Sequence, residues 1–378
     1  MSKSKRANRK SAGRVTAKDV AAKLGISSMT VSRVMNKRSN VGEETRTRVL
    51  EAARDLGYSP NRVAKSLVLR RTNTIGVVVP EITHSFFPEA IRGMEEVAYQ
   101  AQYRLILMHS AESAEREKDA ILTLESERVD GILISMAQSV EDYRLYRQVI
   151  QRGVPMVFFD RCVQRIGASC VSLDDEESAR RITNHLLGHG YTRIAHLSGP
   201  QKVSIGRARL CGFKRALEER GLPFHEELVV ESGFHEEGGY SAMKTLLDLP
   251  PRLRPRAVVA VNDPAAFGAI NAILERGLRI PQDIALVGFS DDIRAGLMPS
   301  PLTTIRQPAY EIGMRAAAKL IAVIEGTSRD VEDIILRAEE VIRESCGCVA
   351  GKLVRVPAGE EVSSSSTARN VTFSETSS

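Results

Sequence analysis

The stretch AKDVAAKLGISSMTVSRVMN, residues 17–36, has the spacing of two short helices joined by a tight turn. Ala21 is small enough for the helices to cross closely, and Gly25 tolerates the positive φ that such a turn often needs. Val31 lies early in the second helix, where it can close a small apolar core. The stretch predicts a helix-turn-helix unit; the alternative is a helical hairpin with no nucleic-acid role.

The same pattern leaves polar and long side chains on the outside of the second helix, namely Ser27, Ser28, Met29 and Arg33. Side chains at these positions of a recognition helix meet base edges in the major groove of DNA. An arginine can donate a bidentate pair of hydrogen bonds to guanine, whereas a methionine offers apolar contact, for example to a thymine methyl group. Double-stranded DNA is therefore the expected partner.

Charge is distributed unevenly along the chain. Residues 1–73 contain 18 Lys and Arg against 5 Asp and Glu, a net charge of +13, and the remaining 305 residues carry a net charge of −7. This asymmetry indicates a polyanion-binding headpiece on a mildly acidic body. Residues 1–14 are basic and nearly free of apolar side chains, so we expect a disordered arm that attracts phosphate without reading sequence.

Composition also limits the compartment. No run approaches the roughly 18–20 apolar residues of a membrane span, and no apolar run follows the basic N-terminus as in a secretory signal. We therefore expect a cytoplasmic protein, nucleoid-associated when bound to DNA, with no membrane partner. The odd number of cysteines without framework spacing predicts reduced thiols; they are Cys162, Cys170, Cys211, Cys346 and Cys348.

Two short patterns resemble metal sites, but we predict no metal. Cys346 and Cys348 flank a single glycine, and no further Cys or His lies close to them in sequence, which favours ordinary thiols. His185 and His189 have the i,i+4 spacing of two zinc ligands, but no Glu follows His185 as a metalloprotease requires. The Gly-x-Gly of residues 188–190 precedes a strand and lacks a third glycine, so no dinucleotide cofactor is expected.

A third helix is predicted from Glu43 to Leu56, with Gly57 as its stop. From Thr74 onward, apolar runs such as TIGVVVP and VPMVFFD alternate with amphipathic helical segments, with an irregular stretch around Cys170. Near-continuous apolar strands separated by helices predict parallel sheets covered on both faces. The length suits two such α/β halves. The predicted organisation is a basic arm (1–14), a helix-turn-helix headpiece (15–60), a hinge (61–73), an α/β core (74–346) and a disordered tail (347–378) without a leucine heptad.

Longer strings support a family resemblance. The strings VTAKDVAAKLGIS, MTVSRVMN, ETRTRVLEAARDLGYSPNRVAKSL and RRTNTIGVVVP resemble the lactose-repressor/galactose-repressor (LacI/GalR) family. The similarity continues through VDGILI, GHGYTRIAHLSGP, AVVAVND, GLRIPQDIALVGF and SPLTTIRQP, and ends near residue 345.

The resemblance implies a homodimeric transcriptional regulator, most often a repressor, that binds a palindromic operator. Its core would resemble a type I periplasmic binding protein, with two α/β subdomains that close over a small effector and three chain crossings between them. The N-subdomain would comprise residues 74–162 and 293–322, and the C-subdomain the rest. A carbohydrate-utilisation operon is the expected target, with a non-sugar metabolite such as a nucleobase as the alternative effector.

The resemblance also implies a set of DNA-binding residues. Ser28, Met29 and Arg33 match base-reading positions, whereas Thr16, Ser27 and Asn36 match positions that touch phosphate, and Asn61 is assigned to the same surface. Leu67 matches a leucine that wedges into the minor groove at a central CG step. Two alternatives remain: Thr16 can also cap a helix, and Leu67 can be a linker residue that packs on the core.

In the core, the resemblance implies an effector site. Phe86 and Phe87 would line the cleft, Asp160 would face it from a strand end, Arg209 would grip the effector, Phe234 would stack on it, and Asn262 would be a polar contact. Asp263 is expected to cap the next helix. Ser290 departs from the family, which usually has Asp there, so either Asp291 or Asp292 substitutes for it or the ligand differs.

The effector is expected to be anionic or otherwise modified, because an arginine in a cleft favours carboxylate or phosphate. Two other functions share the α/β scaffold. A solute-binding protein for transport would need an export signal and no headpiece, the reverse of this sequence. An enzyme would need a catalytic constellation, and we find no nucleophile elbow, phosphate loop or metal set and therefore predict no catalytic residue.

Overall fold

The computed structural model describes residues 15–35, 41–59 and 71–348. The chain divides into two units, residues 1–72 and 73–378. Several predicted features lie outside the described residues: the arm 1–14, Asn36, most of the hinge with Asn61 and Leu67, and the tail from residue 349.

The first unit contains three helices: α1 (Ala17–Leu24), α2 (Ser28–Met35) and α3 (Glu43–Asp55). Gly25 ends α1 with a φ of 66°, the left-handed conformation that the sequence predicted for the turn. A small buried core joins the helices, formed by Val20, Ala21, Val31, Val34, Val49 and Ala52. The predicted helix-turn-helix packing is thus confirmed, with Ala21 and Val31 inside it.

In the second unit, the N-subdomain is built on a six-stranded sheet in the order β11-β5-β4-β3-β1-β2. All of its strand pairs are parallel, as the apolar runs predicted. The strands are β1 (Thr74–Val79), β2 (Arg104–His109), β3 (Gly131–Ile134), β4 (Met156–Phe159), β5 (Ser169–Leu173) and β11 (Asp333–Leu336).

Four helices cover this sheet: α4 (Phe86–Gln100), α5 (Ala114–Ser126), α6 (Arg144–Gln151) and α11 (Ala309–Glu325). Helices α4 and α11 cross closely because each presents a glycine to the other. A Cβ at Gly93 would lie 2.1 Å from the Tyr310 carbonyl oxygen, and one at Gly313 would lie 1.9 Å from the Ala90 carbonyl oxygen. The two glycines therefore fix how α11 returns to the N-subdomain.

The C-subdomain contains a four-stranded parallel sheet in the order β7-β6-β8-β9. Its strands are β6 (Ile194–Ser198), β7 (Val229–Glu231), β8 (Ala257–Ala260) and β9 (Ala285–Val287), and its helices are α7 (Asp175–Gly188), α8 (Ser204–Glu219), α9 (Glu236–Asp248) and α10 (Asp263–Glu275). An antiparallel pair, β10 (Thr304–Arg306) and β12 (Glu339–Val341), lies beside them. Three short 3-10 turns complete the described fold, at Glu226–Leu228, Pro251–Leu253 and Ala295–Leu297.

The predicted subdomain boundaries were wrong. The stretch around Cys170 is not irregular but forms β5, which pairs with β4 and extends the N-subdomain to Leu173. Residues near 303 bridge to β9 in the C-subdomain, so the chain returns to the N-subdomain only after β10. Three segments cross between the subdomains, after β5, after β10 and after β11, as the family resemblance implied.

The expectation that all five cysteines are reduced was also wrong, because Cys162 and Cys170 form a disulfide. The connection from the end of β4 to the parallel strand β5 places Cys162 beside Cys170, with their Cα atoms 5.9 Å apart, which their separation of eight residues did not reveal. The core also ends later than predicted, since Cys348 is buried. No helix in residues 15–35, 41–59 or 71–348 is both long and apolar enough to cross a membrane.

Candidate functional site

A cleft lies between the two subdomains, and the space between its walls, including the part open to solvent, is about 490 Å³. Parallel strands of both sheets end at it, and this is the usual ligand edge of an open α/β sheet. Most of the predicted effector residues line it: Phe86, Phe87, Asp160, Arg209, Phe234, Asn262 and Ser290. Of the eight predicted effector residues, Asp291 alone does not line the cleft.

Asp160 directly follows β4 and is buried at the cleft wall. Its φ is 60°, a conformation uncommon for a non-glycine residue and often found at functional positions. Ser135 donates a hydrogen bond of 3.5 Å to its Oδ2 atom. Burial raises the pKa of Asp160 to about 6, although Arg161 opposes this shift. The carboxylate is thus a hydrogen-bond acceptor whose charge depends on pH near neutrality.

Arg209 reaches the cleft from α8, but its charge is already paired. Its Nε donates to Asp175 Oδ1 at 2.8 Å, and its Nη1 donates to the Val261 carbonyl oxygen at 2.6 Å. The guanidinium also stacks on the Phe289 ring, 3.7 Å from its centroid. The prediction of an anionic effector rested on the charge of this cleft arginine, and Asp175 already pairs with that charge.

Arg161 is a cleft residue that the sequence analysis missed. It is buried, its Nη1 donates to both carboxylate oxygens of Glu112 at 2.8 and 2.9 Å, and its guanidinium lies 4.4 Å from the Phe234 ring centroid. Arg161 and Glu112 are far apart in sequence, so their pairing could not be predicted. The position of Arg161 at the end of a strand was the one sequence feature that could have placed it at the cleft. One face of Phe234 is therefore already occupied by a cation.

Asn262, rather than Asp263, caps α10. Its Oδ1 accepts from the Ala265 backbone N–H at 2.9 Å, and its Nδ2 donates to the Phe234 carbonyl oxygen at 2.9 Å. The prediction that Asp263 is the cap was wrong, because Asp263 turns inward, where it accepts from the Thr304 hydroxyl and the Asp292 backbone N–H. Burial raises the pKa of Asp263 to about 7.

Asp291 was predicted to line the cleft, but it points away from it. Residue 291 adopts a φ of 55°, and its carboxylate pairs with Arg306 at 2.8 Å and with Arg343 at 2.7 Å. Asp292 takes the cleft position instead, where it accepts from the Ser85 hydroxyl at 3.1 Å. Of the two aspartates that could replace the family's residue at Ser290, Asp292 lies at the cleft, because the backbone conformation at Asp291 turns the Asp291 side chain away.

Two buried donors in the cleft wall have no hydrogen-bond partner among the described residues. They are Nε of Arg161 and Nε2 of Gln307. An unsatisfied buried donor costs about 1–3 kcal/mol, so such atoms commonly belong to a ligand or water. The cleft therefore offers free donors together with acceptor carboxylates and aromatic walls.

Several contacts cross the cleft. The Ser85–Asp292 hydrogen bond joins the subdomains, the Cys162 backbone N–H donates to Ser204 Oγ at 3.2 Å, and Lys202 pairs with Glu141 at 2.6 Å. These contacts link the two subdomains across the cleft.

The headpiece presents the predicted DNA-facing side chains. Thr16, Ser27, Ser28, Met29 and Arg33 are exposed. Thr16 is the N-cap of α1, as its alternative role required: the Asp19 carboxylate accepts from its backbone N–H at 2.8 Å and from its hydroxyl at 2.7 Å. Ser27 accepts from the Thr30 backbone N–H at 3.0 Å and so caps α2.

Comparisons with known proteins agree with this architecture. Residues 16–61 match the model for bacterial regulatory proteins of the lacI family, and residues 72–343 match the model for periplasmic binding proteins and the sugar-binding domain of the LacI family. The chain is 33% identical to the HTH-type transcriptional regulator RegA of Clostridium saccharobutylicum, over 87% of this chain and 98% of that protein. It is 36% identical to the ribose operon repressor of Escherichia coli (strain K12), over 81% of this chain and 92% of that protein.

Among solved structures, the Lac repressor dimer bound to operator and the anti-inducer ONPF superimposes with a TM-score of 0.78, at 28% identity, over 88% of this chain and 99% of that one. The transcriptional regulator CelR in complex with cellobiose gives a TM-score of 0.68, at 30% identity, over 88% and 100% of the two chains. These relatives are regulators and not enzymes. The chain belongs to the LacI family of bacterial regulatory proteins and is a DNA-binding transcriptional regulator with a periplasmic-binding-protein-like core.

Proposed function

We propose that this regulator is a cytoplasmic repressor of carbohydrate-utilisation genes and that its effector is a neutral sugar bound in the cleft. The main observation in support is that the cleft presents both hydrogen-bond donors and hydrogen-bond acceptors. A sugar hydroxyl both donates and accepts, and the cleft offers acceptors at Asp160 and Asp292 beside unsatisfied donors at Arg161 and Gln307. Phe86 and Phe87 supply apolar surface for the sugar's C–H groups.

The charge of the cleft favours a neutral ligand over an acid. The described lining residues include four carboxylates against two guanidinium groups, and both guanidinium groups already pair with carboxylates. Of the four carboxylates, Glu112 is the partner of Arg161, and Asp292 pairs with Arg294 at 3.0 Å. A ligand carboxylate would therefore meet repulsion mainly from Asp160 and Glu81, with no unpaired guanidinium among the described lining residues to offset it.

A nucleobase is the competing effector. A planar base needs an open aromatic face, but the guanidinium of Arg161 lies over Phe234. The T-shaped arrangement of Phe86 and Phe87, with ring centroids 5.1 Å apart, offers an edge and a face rather than a flat slot. A sugar fits these walls better.

In the complex with DNA, we propose that bases are contacted by Ser28, Met29 and Arg33. Phosphates are contacted by Thr16, Ser27 and Asn36. Asn61 and the wedge Leu67 are assigned to the same surface from the sequence alone. Met29 is 63% exposed on α2, so its side chain is accessible for apolar contact with a base edge. Arg33 lies beside it, with its Nη2 atom 3.6 Å from Met29 Sδ.

A homodimer is proposed on the basis of exposed apolar side chains in the core. On the N-subdomain, Ile106 and Leu107 lie exposed on the edge strand β2, and Tyr99 is 73% exposed near the end of α4. On the C-subdomain, Ile293 and Leu297 are 79% and 77% exposed. Apolar surface of this kind is typical of an interface. A dimer would place two headpieces on the two half-sites of a palindrome.

The test is calorimetric titration of the full-length chain with ribose, cellobiose, a uronic acid and a nucleobase. Operator binding is then measured with and without each compound. A neutral sugar should bind and shift operator affinity, and Asp160→Asn should weaken both effects. Asp119→Asn, an exposed carboxylate on α5, is the matched control and should change neither. Binding of only the acid or only the nucleobase would refute the effector assignment.

A further inference from the structure

Two histidines and two cysteines lie together in the C-subdomain. The sequence predicted no metal at either pair. His185 and His189 are on the last turn and the C-cap of α7, and Cys346 and Cys348 follow the third chain crossing. The four candidate ligand atoms all lie within 4.8 Å of one another. Three of the four residues are buried, and His185 is partly buried. The sequence separation of 161 residues between His185 and Cys346 hid this arrangement.

The distances match a tetrahedron around a metal ion. The two imidazole Nε2 atoms are 3.3 Å apart; Nε2 of His185 is 3.2 Å from Cys346 Sγ and 3.7 Å from Cys348 Sγ; Nε2 of His189 is 3.3 Å from Cys348 Sγ. Zinc with Zn–N of about 2.05 Å and Zn–S of about 2.3 Å would separate ligand atoms by about 3.3 Å (N to N) and about 3.6 Å (N to S). Four of the six ligand-atom separations are thus within about 0.4 Å of those in a tetrahedral zinc site, and the other two are below 4.8 Å.

The surrounding backbone makes this convergence possible. Gly347 has a φ of 101°, so the Cys-Gly-Cys segment curls and both sulfurs face the histidines. A Cβ at Gly347 would lie 3.2 Å from the Tyr191 hydroxyl, so both this tight contact and the positive φ favour glycine at the position. The Thr303 hydroxyl donates to Cys346 Sγ at 3.1 Å, the kind of outer contact that stabilises a metal-bound thiolate.

We propose that His185, His189, Cys346 and Cys348 form a structural zinc site. A tetrahedral set of two sulfurs and two imidazole nitrogens is the donor set that selects zinc. All four positions are filled by protein, so the site leaves no open position for a substrate.

The site would fasten the end of the core to α7. Ser345, next to Cys346, already extends the C-subdomain sheet: its carbonyl oxygen accepts from Leu286 N–H at 2.8 Å, and its hydroxyl donates to the Leu286 carbonyl oxygen at 2.6 Å. Zinc would hold this edge segment in place. The site lies at the far end of α7 from Asp175, the partner of Arg209, so it is about 20 Å of helix from the cleft.

The experiment uses the full-length chain without a histidine tag, purified under reducing conditions and saturated with zinc before gel filtration. Metal is counted by mass spectrometry, and Co²⁺ is then substituted for zinc. We expect about one zinc ion per chain. After cobalt substitution, we expect the visible d–d bands of a tetrahedral site together with sulfur-to-cobalt charge-transfer bands. His185→Gln should weaken zinc binding by more than the roughly 10- to 100-fold that loss of an outer-shell partner costs.

Cys211→Ser and His225→Gln are the matched controls, because both residues lie outside the cluster and neither is buried. Both variants should retain the metal and the cobalt spectrum. Less than about half an equivalent of zinc in the saturated wild-type chain would overturn the proposal. So would a cobalt spectrum without thiolate bands, a Cys346–Cys348 disulfide in place of metal, or equal zinc in wild type and His185→Gln. If a ligand variant fails to fold, the metal count and cobalt spectrum of the wild type still decide.

Discussion

Arg33 is the side chain on α2 best suited to read a single base, because it is exposed and carries a bidentate donor pair. We expect Arg33→Ala to lose about 1–3 kcal/mol at one base position in each half-site. Arg33→Lys is the matched control, since it keeps the charge but lacks the planar fork, and it should lose the same base preference while retaining more affinity for scrambled DNA. Fluorescence anisotropy on operator and scrambled duplexes measures both. Equal losses on the two duplexes for Arg33→Ala would mean that Arg33 contacts only phosphate.

Asp160 should make effector binding depend on pH. Burial raises its pKa to about 6, and sugar hydroxyls donate to the ionised carboxylate, so the bound state favours deprotonation. Affinity should therefore be highest above pH 6 and fall as pH drops through that value. In Asp160→Asn, binding should be weaker and should lose the pH dependence that the Asp160 carboxylate causes. Calorimetry across this range checks the prediction, and a wild-type affinity that rises toward low pH would contradict it.

At the scale of elements, Glu117 joins α5 to α6 and to the end of β3. Its Oε2 accepts from the Ala137 backbone N–H at 2.6 Å, and its Oε1 accepts from the buried Tyr146 hydroxyl. Burial raises its pKa from 4.5 to about 7, so between these values the folded state holds a proton that the unfolded state has lost. Protonated Glu117 therefore contributes to the free energy of unfolding at low pH, and this contribution is lost as pH rises through about 7.

This gives a test of the packing between α5 and α6. The stability of wild type relative to Glu117→Gln should rise by about 1.4 kcal/mol per pH unit as pH falls from near 7 toward 5. Urea unfolding of both proteins at several pH values measures the difference in their free energies of unfolding. Other titrating groups affect both proteins equally, so their contributions cancel in this difference. A difference that does not change with pH would show that Glu117 is ionised in the folded protein.

The sequence predicted the elements whose determinants are local. The α1–α2 turn follows from Gly25 and the spacing of Ala21 and Val31, and Asp160 could be placed because it ends an apolar strand. Strand β11 was missed because it is an edge strand with only alternate residues partly buried, so it lacks the continuous apolar pattern. Residues whose role depends on a distant partner were also missed. Arg161 meets Glu112 from 49 residues away, and the direction of Asp291 depends on Arg306 and Arg343.

At the scale of the whole molecule, assembly should depend on the core. Residues 350–378 contain no leucine heptad that could join dimers into a tetramer. The full chain should be a dimer by light scattering, and a chain that ends at residue 349 should have the same subunit number. Leu107→Lys, on the exposed edge strand β2, should weaken the dimer because it places a charge in the proposed interface. A tetramer, or dissociation caused by removal of the tail, would contradict the core-based assembly.

The regulator joins a basic headpiece to a ligand-binding core, and its function requires that the first read DNA and the second control it. Selection of bound duplexes from a random pool by the full-length chain, at fixed salt and with and without the effector sugar, tests this most directly. We predict enrichment of one short palindrome with half-sites of equal sequence, bound with steep salt dependence and with an affinity that the sugar changes. Enrichment of no palindrome, or of one whose affinity no sugar alters, would contradict the central claim.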